Sequence, residues 1–528
     1  MRSGSFDVIE VTICFDSPVA VGDPINYDVV GAFKAHVTPG SDPDAGPPDT
    51  PVVRDPRTGL PTLQGSSLMG ALRHHLSGYP LPDGKFRVLD QRGIGAREAQ
   101  QVRNTTRPTL ADLVCGSLPE EVAPSRSGKP AGTTPARRPS ALRMVEVMPE
   151  GTPAVDLGTR VAISRRSGAA VDSKLFTQEA ARLTGVVALF TLDHAVLGDA
   201  GRDLSLDGSE VPAEDVVVAI VMALQEWAVQ VGAHASIGQG RGRISHTRTR
   251  RAHLASEVGR LLSSKTTAEY FRNGIAPWQG GSAPAWFTRP ENGPVELLNA
   301  RFRLVDPLFI DPRPCQGGDR DNINASSSFV AGSAWKGVVR SRCEYILRSV
   351  GIAACLSSDA GTCGMCPTCR LFGWTPREGL LQRGADAGDG ARSMLRFEDS
   401  PVESKSDDGS AGPALQWVDV DHVAIDRFTG GADDGKLFVE RAIAPPAEVG
   451  LRIRSTRGQP VPEWAGPLLW FAVADMNEGL IGIGHSTTRG MGTLAVVGQD
   501  LPKMQQALLE WPGALAALRE EYAEVSGT

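Results

Sequence analysis

Four cysteines lie close together in the second half of the sequence. Cys355, Cys363, Cys366 and Cys369 have the spacing C-x7-C-x2-C-x2-C. Four thiolates suit a tetrahedral zinc ion, and two residues between neighbouring ligands allow a tight knuckle of chain around it. An iron–sulfur cluster is the alternative, although the C-x3-C-P ending of many cluster sites is missing. The spacing therefore predicts a structural zinc site, in which Cys343 on the preceding helical pattern could replace Cys355.

Two Gly-Ser sequences, at Gly65 and at Gly332, each begin a helical pattern. Serine near a helix start can cap it, and the unpaired N–H groups there attract a phosphate. Glycine lets a nucleic-acid backbone approach closely, and each half of the chain also has a late Gly-rich segment that carries an arginine. The candidate phosphate ligands are Ser66, Ser67, Arg73, Arg241, Ser333, Lys336, Arg340 and Arg489. An ordinary capped helix is the alternative for each helix start taken alone.

The composition is that of a globular protein whose overall charge does not indicate a nucleic-acid partner. The chain has 528 residues, 41% of them hydrophobic, and a formal net charge of −7. Five arginines and no acidic residue lie between positions 236 and 251, which could give one surface a local positive potential; a solvated basic loop is the alternative. No apolar stretch is long enough for a membrane span, and no signal-peptide pattern begins the sequence. Because crowded cysteines are also typical of a reducing compartment, we expect a cytoplasmic protein without a membrane partner.

The elements that must position these residues occur twice, in the same order along the chain. The strand pattern of residues 6–15 is matched by residues 296–304, and the helical pattern of 65–73 by that of 332–340. The segments 161–165 and 174–176 both recur 262 residues later, at 423–427 and 436–438. Six such matches, at offsets from 246 to 289, predict an internal repeat. We expect a first domain at 1–250, a linker at 251–290, a second domain at 291–500 and a C-terminal helix at 501–528.

This ordered set of segments resembles the RAMP superfamily of CRISPR proteins. The closest resemblance is to the repeated backbone subunits of type III effector complexes, and two such domains in one chain resemble the fused subunit of type III-D systems. The resemblance implies an α+β fold: two tandem ferredoxin-like (RRM-like) domains with inserted loops and a zinc knuckle. It also implies that residues 161–176 and 423–438 form hairpins, the thumbs, that wedge into a guide–target RNA duplex.

The resemblance further implies a function. The chain would bind guide RNA (crRNA), associate with other CRISPR effector subunits, and cleave paired target RNA by metal-dependent transesterification with Mg²⁺ or another divalent ion. The catalytic acid in the first domain would be Asp49, which is followed by Thr where the family has Asn. In the second domain it would be Asp321, with Asp319 as the second choice. A non-catalytic guide-RNA scaffold is one alternative, and processing of precursor guide RNA by His74 or His75 is another.

Overall fold

The structure of the protein is a computed structural model. The residues that it describes are 4–22, 51–55, 58–82, 85–86, 89–90, 105–106, 108–116, 138–163, 170–253, 256–257, 260, 263–290, 295–310, 323–355, 363–374, 390–405, 410, 412, 414–456 and 461–523.

The described residues form nineteen strands and nine α-helices. The strands are β1 Ser5–Phe15, β2 Leu89–Asp90, β3 Thr105–Thr106, β4 Leu142–Glu150, β5 Ala154–Ile163, β6 Ala170–Arg182, β7 Gly185–Asp193, β8 Ala228–Gln230, β9 Arg241–His253, β10 Ala276–Pro277, β11 Glu296–Leu304, β12 Ile323–Ala325, β13 Phe329–Val330, β14 Leu395–Phe397, β15 Ser400–Ser404, β16 Gln416–Ile425, β17 Ala432–Ala444, β18 Ala447–Ser455 and β19 Leu494–Val496. The helices are α1 Gly65–Leu76, α2 Leu110–Val114, α3 His194–Leu204, α4 Ala213–Gln225, α5 Thr267–Arg272, α6 Gly332–Ser349, α7 Pro367–Phe372, α8 Ala465–Asn477 and α9 Leu501–Glu521. Short 3-10 turns lie at Ala235–Ile237 and Thr487–Arg489.

The first half of the chain is built around an antiparallel sheet with the strand order β10-β9-β1-β7-β4. Helix α1 connects β1 to β4, and α4 lies between β7 and β9, which gives the β-α-β-β-α-β connectivity of a ferredoxin-like fold. Apolar residues at helical spacing, such as Leu68 and Leu72 of α1 and Ile220 and Leu224 of α4, are buried in one core with β1. That core fixes where the Gly-Ser start of α1 lies relative to β4.

The second half repeats this arrangement around a separate core. Its sheet has the order β13-β15-β18-β11-β19, and β14 also pairs with β18. Helix α6 follows β11, and α8 lies between β18 and β19. Trp335 of α6 stacks on Phe302 of β11 with ring centroids 5.9 Å apart, and both rings are fully buried. The mixed α+β architecture with curled antiparallel sheets agrees with the ferredoxin-like fold expected from the sequence.

Each half contains a long hairpin, and the two hairpins have the same strand register. In the hairpin of β5 and β6, Ala154 faces Arg182, and the register shifts between Val161 and Ile163. In the hairpin of β16 and β17, Gln416 faces Ala444, and the register shifts between Val423 and Ile425. Every one of these positions is offset by 262 residues, the offset at which the sequence motifs recur.

Residues 263–290, expected as part of a linker, pack against the first sheet. Strand β10 pairs with β9, and Trp286 is buried in the first core. The rings of Tyr270 and Phe271 are in tilted contact, and Phe271 makes an edge-to-face contact with Phe6 of β1. Burial of these aromatic rings removes a large apolar area from water, and this stabilises the packing of the segment against the first sheet.

The C-terminal helix α9 packs on α8, where Trp511 contacts Phe471 with ring centroids 5.1 Å apart. Among the described residues, no helix combines the length and the apolar character that crossing a bilayer requires.

Candidate nucleic-acid interface and cysteine cluster

The four cysteines predicted from their spacing come together beside α7. Their sulfur atoms all lie within 4.8 Å of one another. The Sγ of Cys369 is 3.5 Å from that of Cys355 and 3.9 Å from that of Cys363, and the Cys355–Cys366 distance is 3.8 Å. Tetrahedral Zn–S bonds of about 2.3 Å place sulfur atoms about 3.8 Å apart. The cluster could therefore hold a metal ion such as zinc.

The surroundings of the cluster also suit thiolate ligands. The backbone N–H of Cys366 points at the Sγ of Cys363 at 3.3 Å, and that of Cys363 at the Sγ of Cys355 at 3.4 Å. Hydrogen bonds among the four thiols lower the pKa of Cys366 and Cys363, and they raise the pKa of Cys355 and Cys369. Cys343 is not in this group: it is fully buried in the second core, where desolvation raises its pKa. Its suggested role as a replacement for Cys355 was therefore wrong.

The two Gly-Ser helices begin without side-chain caps. The N-cap residues are Gln64 and Ala331, and neither contributes a capping hydrogen bond. The predicted caps Ser66, Ser67 and Ser333 lie inside the first turns, so that prediction was wrong. At the start of α6 the N–H of Gly332 donates to Oδ1 of Asp399 at 2.6 Å. A carboxylate of the protein thus takes the N–H group that was expected to bind a phosphate.

Arg73 and Arg340 hold equivalent segments of chain rather than pointing into solvent. Arg73 donates to the carbonyl oxygens of Cys115 and Gly116, both at 3.0 Å. Arg340 donates to the carbonyl oxygen of Gly373 at 3.0 Å, and its side chain is only 12% exposed. These contacts explain the two matching arginines structurally, and RNA binding by either stays a prediction.

Lys336 and Arg241 each form a polar contact between the two halves of the chain. The ammonium of Lys336 donates to Oγ of Ser236 at 2.8 Å. The guanidinium of Arg241 lies 3.3 Å from Oε2 of Glu398. Both basic side chains therefore bind protein groups of the opposite half, whereas Arg489 on the other Gly-rich loop is exposed.

The arginine-rich segment forms strand β9 rather than a loop, and acids neutralise most of it. Four of the five arginines form ion pairs within the described chain: Arg241 with Glu398, Arg248 with Glu10, Arg250 with Glu257, and Arg251 with Asp7. Asp7 and Glu10 lie on the adjacent strand β1, so strand pairing brings them opposite the arginines. Arg243 is exposed, and no ion pair of it occurs among the described residues. A continuous basic stripe along this segment is therefore absent from the described surface.

The histidines considered for guide-RNA processing occupy different environments. His75 is buried, its Nε2 lies 2.6 Å from the carbonyl oxygen of Ala223, and its ring stacks on Trp227. Burial, and to a lesser degree the charge of Arg392, lowers the pKa of His74. His75 is a core residue, which removes it as a candidate acid or base.

The hairpin of β16 and β17 exposes an unusual share of apolar side chains. Five of the exposed large hydrophobic residues of the described chain lie on it: Trp417, Val423, Ile425, Phe428 and Leu437. Phe428, at the tip, is 100% exposed. Oδ1 of Asp426 accepts the backbone N–H groups of Phe428 and Thr429 at 2.9 and 2.7 Å, which orders the turn that presents the ring.

The sequence analysis missed a buried polar cluster at the base of this hairpin. Glu440 of β17 is 4% exposed, and its carboxylate contacts Nε2 of His422 at 3.0 Å and Oγ of Ser486 at 3.2 Å. Nδ1 of His485 lies 3.5 Å from the same carboxylate, and Arg489 reaches the other ring nitrogen of His422 at 3.2 Å. The cluster connects the second Gly-rich loop (residues 486–493) to the hairpin. Its members lie too far apart in sequence for spacing to have revealed it.

The predicted catalytic acids Asp49, Asp319 and Asp321 lie outside the described residues. Their role stays a prediction.

No curated protein matches the chain. Residues 317–495 match the family model described as the RAMP superfamily. That family suggests a CRISPR-associated RNA-binding subunit, and the mixed α+β architecture of the second half, with its curled antiparallel sheet, agrees with it. The match supports RAMP membership at residues 317–495.

Proposed function

We propose that the chain is a guide-RNA-binding backbone subunit of a type III CRISPR effector complex. The proposal includes a RAMP domain in each half, as in the fused subunit of type III-D systems. Three correspondences support the second domain copy: the strand order, the hairpin register at offset 262, and the paired arginines Arg73 and Arg340. The proposed partners are guide RNA, target RNA and other effector subunits.

The observation that carries the RNA-binding role is the exposed tip of the second hairpin. The hairpin forms a small three-stranded sheet with β12, and a group of exposed apolar side chains on such a hairpin indicates a binding surface. Aromatic rings bind unstacked bases of either strand without sequence preference, because every base has a π face. Phe428, held by the Asp426 turn, is placed to stack on a base in this way.

We further propose that the subunit cleaves the target RNA. The acids Asp49 and Asp321 would each help hold a divalent ion, which would assist attack of a 2′-hydroxyl on the adjacent phosphate. The P–O5′ bond would break, which leaves a 2′,3′-cyclic phosphate on one product and a protonated 5′-hydroxyl on the other. Zinc in the cysteine cluster would be structural and take no part in the reaction. A guide-RNA scaffold without catalytic activity, with cleavage on another subunit, is the second candidate.

The RNA-binding role is tested by removing the ring of Phe428. We expect Phe428→Ala to weaken binding of a labelled guide–target duplex by roughly 5- to 150-fold, the range that loss of one stacked base gives. Phe428→Tyr should bind as wild type does. Leu509→Ala is the matched control, because Leu509 is also an exposed apolar side chain (76%) but lies on α9. Unchanged duplex binding by Phe428→Ala would show that the hairpin tip does not contact RNA.

A further inference from the structure

A buried carboxylate at the base of the second hairpin holds an exposed histidine ring. The side chain of Glu440 is 4% exposed, whereas that of His485 is 53% exposed. Nδ1 of His485 lies 3.5 Å from Oε1 of Glu440 and 3.0 Å from Oγ of Ser486. Within the described part of the chain Nε2 of His485 forms no hydrogen bond, so the outer side of the ring is available to a ligand.

The backbone before the ring fixes its position. The N–H of His485 donates to the carbonyl oxygen of Phe309 at 2.8 Å, and the two rings meet edge to face with centroids 6.0 Å apart. Gly484 has a left-handed φ of 95°, and a Cβ atom there would be 2.5 Å from the same carbonyl oxygen. Because glycine permits this close approach, the exposed imidazole is held beside Glu440.

A cation lies next to this pair. Arg489 is exposed, and its guanidinium is 3.2 Å from Nδ1 of His422, whose Nε2 is 3.0 Å from Glu440. An imidazole, a carboxylate that orients it and a guanidinium are groups that suit cleavage of a phosphodiester. The ring transfers a proton, the carboxylate fixes the tautomer, and the guanidinium binds the phosphate. Since both nitrogens of His422 contact protein groups, His485 is the histidine that can reach a ligand.

The pair of His485 and Glu440 lies beside the segment that follows Asp321 in the sequence. Strand β12 begins two residues after Asp321. It pairs in parallel with β17, and this register places Asn324 opposite Glu440. The chain that leads away from the proposed catalytic acid therefore runs past the carboxylate that orients the ring.

The first half lacks both members of the pair. The N–H groups of Ala233 and His485 donate to carbonyl oxygens at equivalent positions of the two halves, so alanine stands in the place of the histidine. Gln178 stands in the place of Glu440 at the offset of 262 residues that relates the hairpins. The imidazole and the carboxylate are thus replaced together, as expected if the carboxylate serves the ring.

We propose that His485, oriented by Glu440, is the general acid for target cleavage at the second site; this inference rests on the cleavage activity proposed above. The 2′-oxygen attacks phosphorus and gives its proton to water, while the bond from phosphorus to the 5′-oxygen breaks. The protonated ring donates its Nε2 proton to that leaving oxygen and regains a proton from solvent afterwards. Histidine suits this step because it takes up and releases protons near neutral pH.

The test compares an oxygen and a sulfur leaving group in the assembled, guide-loaded complex. With a labelled oxygen target, His485→Ala should slow the product that Asp321→Ala abolishes by about 100- to 10,000-fold, the contribution of one general acid. The other product and the Kd for target should stay unchanged. Sulfur in place of the 5′-bridging oxygen leaves as a thiolate without needing a proton, because thiols are far more acidic than alcohols. With this target His485→Ala should cut as fast as the wild type.

His246→Ala, at an exposed histidine of β9, is the control and should cut both targets as the wild type does. Glu440→Gln should slow the same product as His485→Ala and likewise regain the wild-type rate with the sulfur target. The inference is overturned if His485→Ala cuts the oxygen target at the wild-type rate, or if sulfur does not restore its rate. A wild-type complex that cuts the oxygen target at no site contradicts the proposed cleavage itself, which distinguishes that failure from a failure of His485 alone.

Discussion

Lys336 lies in the contact between the two halves, and its replacement by methionine should stabilise the protein. Its ammonium is largely buried, and burial, with a smaller contribution from Arg340, lowers its pKa from 10.5 to about 8. The charged form that exists at pH 7 is therefore held in an unfavourable environment. The corresponding residue of the first half is Met69, which shows that this position of the fold accommodates the thioether side chain.

The expected gain follows from the size of the pKa change. Each pKa unit corresponds to about 1.4 kcal/mol, so the buried charge costs on the order of 3 kcal/mol at pH 7. Loss of the hydrogen bond to Ser236 offsets about 1 kcal/mol. We therefore expect Lys336→Met to raise the free energy of unfolding by about 2 kcal/mol at pH 7.

The pH dependence has a definite sign. Between pH 8 and 10.5 the unfolded lysine binds a proton that the folded lysine has lost, so the stability of the wild type rises with pH across this window. The variant lacks this group, and its advantage should shrink towards pH 10.5. Urea unfolding at pH 7 and pH 9.5 measures both values, and Lys265→Met, at an exposed lysine, is the control.

Two results would refute this reasoning. Lys336→Met could be less stable than the wild type at pH 7, or its advantage could grow with pH. A third measurement separates structure from RNA recognition: a phosphate ligand would lose RNA affinity and part of its salt dependence on substitution by methionine. We expect RNA affinity to stay unchanged.

Two further predictions concern the metal site and catalysis. Purified protein should contain one zinc ion, and Cys366→Ser should release it and destabilise the second half by roughly 4 kcal/mol when free zinc is 1,000-fold above Kd. Cys343→Ala, outside the cluster, should keep the zinc, and metal analysis that finds iron and sulfide, or no metal, contradicts the assignment. Asp49→Ala and Asp321→Ala should each abolish one distinct cleavage product of a labelled target while guide binding stays constant. If an assembled complex that contains either variant still cuts the target at every site, another subunit supplies the catalysis and the scaffold function is the correct one.

The sequence predicted those features that depend on residues close together in the chain. The cysteine spacing predicted the cluster because its last three members span a single knuckle and the first turn of α7. The long hairpins repeat a motif of β-branched and apolar residues at a constant offset, so their position in both halves could be read directly. Strand β1 and helix α1 were likewise expected near their observed bounds, since their apolar periodicity agrees with the cores they fill.

The features that failed depend on partners distant in sequence. The arginines of β9 suggested a positive surface, yet Asp7 and Glu10 on β1 neutralise two of them after strand pairing. Asp399 lies 67 residues from Gly332 and replaces the expected phosphate at the start of α6. A count of charged residues along one segment omits the acidic residues that pair with it from another strand.

The late Gly-rich loops show a different limit. The sequence match with the smallest offset, 246 residues, aligned Ile237 with Ile483, whereas the hydrogen bonds show that Val231 corresponds to Ile483. Glycine positions define the true alignment: Gly232 and Gly484 both have left-handed φ, and a Cβ at either would be 2.5 Å from a carbonyl oxygen. The amino-acid sequence does not give backbone dihedral angles, so it could not reveal this constraint.

The contact between residues 234–241 and the start of α6, where Lys336 donates to Ser236, forms within one chain. Because residues 242–331 connect them covalently, they encounter each other at an effective concentration set by the connection, far above that of a separate partner. A contact closed in this way can retain a costly buried ammonium at Lys336 and still form.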